Sequence, residues 1–173
     1  MKEITPHILN ILQGNPSFVR ESPKVAYGED FVPFPDEKDL LRAHLMIELI
    51  ERYHYVPESL VVRAYVQVKH NGVDYAEVDL IVHDKEHQPF ILIAVETPQE
   101  YEQKFEETMR KLFAVAVLMR QTHPPRYLMC YTRWYEGERR TIRQVVVDYS
   151  KYQTFSAWHE SSRPTISDIP SHG

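Results

Sequence analysis

Two acids, Asp79 and Glu96, are the residues of this chain best placed for chemistry, because each lies in a strand-like apolar run. The runs are Glu77-Val-Asp79-Leu-Ile-Val and Ile91-Leu-Ile-Ala-Val-Glu96-Thr-Pro98. A carboxylate among Val, Ile and Leu is costly unless it has a partner. The segment between the runs, His83 to Pro89, is short enough for a hairpin. With the turn near residue 87, position 79 falls opposite roughly position 95, which brings both acids to one end of the sheet. Alternation puts Leu92, Ala94 and Glu96 on one face and Ile91, Ile93 and Val95 on the other. Two converging carboxylates favour a divalent cation held by oxygen ligands, and metal-assisted phosphodiester cleavage is one use of such a pair. The plainer alternative is two solvated strand-end carboxylates, each capping a loop.

The elements that must position these acids are legible from periodicity. Pro35-Asp36-Glu37 opens a helix with Asp36 as N-cap, Leu41, Leu45 and Leu49 on its apolar face, and an end near Tyr53–Tyr55. Leu60–Lys69 and Tyr75–Val82 read as strands joined at Asn71-Gly72, and Phe90–Glu96 follows after a turn. Glu100–Gln121 is a long helix whose half from Leu112 to Met119 is apolar nearly throughout, predicting burial on most sides. Arg126–Thr132 and Arg143–Val147 supply two more strands around a Glu136-Gly137 turn. The expected architecture is α/β: a central mixed sheet, made of a three-strand antiparallel meander plus crossover strands, flanked by helices. Residues 1–34, with Pro6, Pro16, Pro23 and Pro33, form an irregular arm; 35–150 form the domain; 151–173 form a polar tail whose aromatic cluster, Tyr152, Phe155 and Trp158, is suited to docking.

Composition narrows the function classes. A single cysteine, Cys130, excludes an internal disulfide framework and a Cys-rich zinc site, and its strand-like setting suits a buried structural thiol. No basic-then-apolar leader pattern and no run of membrane-spanning length occur, so the expected location is cytoplasmic, with no membrane partner. The net charge of −5 argues against a DNA-coating surface. Its distribution is uneven, however: residues 104–151 hold ten Lys/Arg against five Asp/Glu. Within that stretch Arg133, Arg139, Arg140 and Arg143, interleaved with aromatics, are candidates for gripping a nucleic-acid backbone. Scattered solvated charge explains them about as well. His83 and His87 flank a turn and are read as turn residues rather than ligands.

Pro35-Asp-Glu-Lys-Asp-Leu-Leu-Arg42, then Val78-Asp79-Leu-Ile-Val, then Phe90-Ile-Leu-Ile-Ala-Val-Glu96 resemble the N-terminal nuclease domain of type I restriction enzyme R subunits. That domain belongs to the restriction-endonuclease-like PD-(D/E)XK superfamily, and the resemblance spans roughly residues 35–148. It implies the restriction-endonuclease-like fold, DNA as partner and magnesium as cofactor. Asp79 and Glu96 would be the metal ligands, assisted by an acid of the first helix, Glu48 or Glu37. The family's lysine, two residues beyond the Glu, falls on Pro98, which has neither a side-chain donor nor a backbone N–H. Gln99, Gln103 and Lys104 are the replacement candidates, with Lys69 a weaker one. Two functions follow: a magnesium-dependent endonuclease with a displaced helper, or a catalytically inactive module that binds nucleic acid or a partner protein, including a second copy of itself as a homodimer.

Overall fold

The computed structural model describes residues 37–67, 75–120 and 122–171. The arm 1–34, the N-cap Asp36, the Asn71-Gly72 turn and Lys69 lie outside the described residues. In chain order the elements are α1 (Glu37–Glu51), a 3-10 turn (Pro57–Ser59), β1 (Leu60–Gln67), β2 (Tyr75–His83), β3 (Pro89–Val95), α2 (Tyr101–Met119), β4 (Tyr127–Glu136), β5 (Arg139–Asp148) and α3 (Phe155–Glu160).

The five strands form one mixed sheet in the order β1-β2-β3-β4-β5. β1, β2 and β3 make an antiparallel meander. A helical crossover through α2 returns the chain to β4, parallel to β3, and β5 closes antiparallel to β4. The period-2 alternation of β3 separates two cores. Ile91, Ile93 and Val95 pack with Leu41, Leu45 and Leu49 of α1. Leu92 and Ala94 pack with Met109, Leu112 and Phe113 of α2.

Two features differ from the sequence expectation. The β4–β5 hairpin is longer, running to Glu136 paired with Arg139 across a two-residue connection. Gly137 takes φ +61° there, the backbone conformation such a tight hairpin requires. The apolar half of α2 is not buried on most sides: Val117 and Leu118 are exposed, because only the face toward the sheet is covered. The segment after residue 150 docks on the domain through its aromatic cluster, as its residues suggested. Phe155 and Trp158 are buried in the α2-side core, Ile169 is buried on the α1 side, and Ile166 bridges to Val146. Among the described residues no helix is long and apolar enough to cross a membrane.

Candidate functional site

The acids meet as the hairpin register requires. Leu80 pairs with Ile93, so Asp79 lies opposite Ala94, and the Val95 N–H donates to Asp79 Oδ2 at 2.9 Å. Glu96 continues β3 by one residue, its N–H donating to the Tyr131 carbonyl at 3.0 Å, which anchors it against β4. On the other side of β2, the β1–β2 pairing skips Arg63, which adopts φ +49° opposite Asp79. The register is the same on both sides of Arg63, so this left-handed residue interrupts the ladder locally without shifting it.

Both carboxylates are anchored by the scaffold, Asp79 through both of its oxygens. Arg42 of α1 donates from Nε to Asp79 Oδ1 at 2.9 Å, and the same guanidinium meets Asp39 at 2.6 Å. Burial works against the Arg42 charge, but Asp79 and then Asp39 outweigh it and raise its pKa above the ordinary value. Thr108 of α2 donates its hydroxyl to Glu96 Oε1 at 2.7 Å. Asp79 Oδ2 and Glu96 Oε2 face a common cation. Lys38 Nζ lies 3.8 Å from Asp79 Oδ2 and 3.4 Å from Glu96 Oε2. These groups, with Glu77, Thr108 and Lys111, line a small cleft of about 60 Å³.

Pro98 has a local explanation. Thr97-Pro98-Gln99-Glu100 forms the turn that starts α2: the Glu100 N–H donates to the Thr97 carbonyl at 3.1 Å and the Thr97 hydroxyl to Glu100 Oε2 at 3.1 Å. Proline, with φ preset and no N–H to satisfy, suits the entry to a helix. Pro98 thus serves the start of a helix, and an ammonium reaches the two acids from α1.

The remaining candidates fall in different places. Gln99 is exposed and, with Pro98, Trp134 and Arg143, lines a wider cleft of about 440 Å³ beside the acids. Glu37 is on the same wall. Lys104 is exposed and pairs with Glu100 at 2.6 Å, and Gln103 is exposed on α2. Glu48 is buried but directed elsewhere, with Arg52 at 3.3 Å and the Tyr131 hydroxyl at 3.4 Å. Among the described residues no three His, Cys, Asp or Glu side chains gather into a metal-holding group, so Glu48 does not join Asp79 and Glu96. Arg139 and Arg140 are exposed at the β4–β5 hairpin end, Arg143 pairs with Glu102, and Arg133 is buried.

Lys38, Arg42 and Thr108 were not singled out by the sequence reading. One signal was present for Lys38. A cation in the first turn of a helix opposes the helix dipole, so its placement calls for another source of stabilisation. Arg42 and Thr108 carry no comparable mark. No protein-family model matches this chain, and no curated protein sequence matches it.

Proposed function

We propose that the chain is a restriction-endonuclease-like protein that cleaves DNA with magnesium, using a lysine supplied by α1 in place of the strand lysine lost at Pro98. One observation carries this reading: the Lys38 ammonium reaches both Asp79 Oδ2 and Glu96 Oε2. The donor set suits magnesium, which is commonly held by one or two carboxylates with water and substrate phosphate completing its shell. Asp79 Oδ2 and Glu96 Oε2 would hold it. Bound there, the ion would polarise a phosphoryl oxygen and lower the pKa of an attacking water.

The residues of the chain do the rest. Arg42 and Thr108 fix the two carboxylates by their outer oxygens, the kind of support that orients a ligand and tunes its basicity. Lys38 places a donor where negative charge develops at phosphorus. The wider cleft past Pro98, with Gln99, Trp134 and Arg143 on its walls, adjoins the acids and offers the DNA backbone a path.

A second reading is supported by the same ammonium. Lys38 already provides positive charge between the acids, as it would in an inactive module that keeps the fold to bind nucleic acid or a second copy of the chain. Supercoiled plasmid incubated with magnesium or manganese separates the two. Nicking by the wild type that disappears in Asp79→Asn and Glu96→Gln supports cleavage. No nicking by the wild type supports the inactive module, and nicking that persists in both variants identifies a contaminant.

A further inference from the structure

The two best-buried arginines of the described structure are treated very differently. Arg42 is met by Asp39 and Asp79. Arg133, 6% exposed, is met by tyrosines: its Nη2 donates to the Tyr135 hydroxyl at 2.7 Å, its Cζ lies 5.4 Å from that ring's centroid, and the Tyr131 side chain also interacts with it. Among the described residues the Arg133 Nε has no hydrogen-bond partner. A buried cation lacking a counter-charge is among the costlier arrangements a fold can hold.

Arg133 lines a cavity of about 230 Å³ between α1 and the end of β4, with Leu40, Leu41, His44, Trp134 and Tyr135. Its one acid, Glu37, is exposed and forms no ion pair with Arg133. His44 contributes a second orphan, for its Nε2 is buried with no partner among the described residues. Burial, then Arg133 and Arg140, lower the His44 pKa to about 4, so the ring is neutral near pH 7 and retains one N–H. The space is several times the ~30 Å³ share of a water molecule in the liquid. Arg133 and His44 thus share a half-open cavity with aromatic walls, and each carries a buried nitrogen with no partner among the described residues.

We propose that this cavity binds a phosphate group, received by the Arg133 guanidinium with the His44 ring as a second donor. The planar guanidinium fork matches a phosphate oxyanion, and the bound charge supplies a counter-ion that the described residues do not. The site does not rest on the cleavage reading, since none of its residues touches Asp79 or Glu96. Its phosphate can be inorganic, the terminal group of a nucleic acid, or a backbone diester.

The test follows the His44 ring and Trp134 indole resonances of the full chain at constant ionic strength. The probes are inorganic phosphate, a 5′-phosphorylated oligonucleotide and its unphosphorylated counterpart. Saturable shifts with phosphate are expected, weakened at least about tenfold in Arg133→Gln and several-fold in His44→Ala. Preference for the phosphorylated oligonucleotide identifies an end group; equal binding of both, lost in Arg133→Gln, identifies a backbone phosphate. Arg133→Gln should be at least as stable as wild type in phosphate-free buffer, because it removes an unpaired buried charge. Absence of saturable shifts with all three probes, or binding unchanged in Arg133→Gln, overturns the site. A marked loss of stability in phosphate-free Arg133→Gln also overturns it, by making Arg133 a structural residue.

Discussion

Arg42 and Asp79, 37 residues apart in sequence, are joined by an Nε–H donated to Oδ1 at 2.9 Å, with both side chains largely withdrawn from water. The bond ties the second turn of α1 to the middle of β2, and so sets where the carboxylate of the site points. Removing one member of a buried pair leaves the other charge unanswered. Arg42→Met is therefore expected to destabilise the protein by about 3–5 kcal/mol, whereas Arg42→Met combined with Asp79→Leu should recover much of that loss. Urea denaturation of the single and double variants measures the difference.

Lys38 separates catalysis from structure. Lys38→Met removes the ammonium and leaves Asp79 and Glu96 with their Arg42, Val95 and Thr108 partners. Plasmid nicking should fall about 10²–10³-fold, in the range of losing a donor to developing charge. Calorimetric magnesium binding should be retained or strengthened, since a competing cation is gone. Loss of magnesium binding in this variant would count against Lys38 as the displaced lysine.

His44 imposes a pH dependence of known sign. Its pKa falls from an ordinary value near 6.5 to about 4 on folding, by burial first and then by Arg133 and Arg140. Between those values the unfolded chain binds the proton and the folded chain does not, so stability is complete above pH ~6.5 and declines as pH drops toward 4. His83, also lowered by burial, adds a contribution of the same sign. Denaturation midpoints from pH 7.5 to 4.5 should therefore fall less steeply in His44→Leu than in wild type.

Cys130 lies fully buried in β4, and burial pushes its thiol up to about 12. A thiol reagent at pH 8 should leave the native protein almost unmodified and label one site per chain in urea. Rapid native labelling would show that β4 opens far more readily than its position in the sheet implies.

Trp158 anchors the segment after β5. Its ring is 1% exposed against Phe113 and Phe155, and its Nε1 donates to the Pro164 carbonyl at 2.9 Å. Farther on, Tyr55 donates its hydroxyl to the Pro170 carbonyl. Trp158→Ala should cost about 3–5 kcal/mol, and ending the chain at residue 150 should expose apolar surface on both sides of the sheet. Thermal unfolding and a hydrophobic dye measure both.

Local pattern was enough for the sheet and for the acid pair. Alternation through Ile91–Val95 assigned residues to two faces, and the short hairpin brought Asp79 alongside the end of β3, because strand geometry repeats every two residues whatever surrounds it. It was not enough to show which face of α2 is covered: Val117 and Leu118 are apolar and exposed, and only the helix's orientation on the sheet decides that. Nor did it yield Lys38, Arg42 and Thr108 as partners of the acids, or bring Arg133 and His44 to one cavity. Those pairings join elements distant in the chain, and no periodicity encodes how two helices settle on opposite faces of a sheet. The acids and Pro98 were written in the sequence, but the ammonium standing between those acids was assigned by packing.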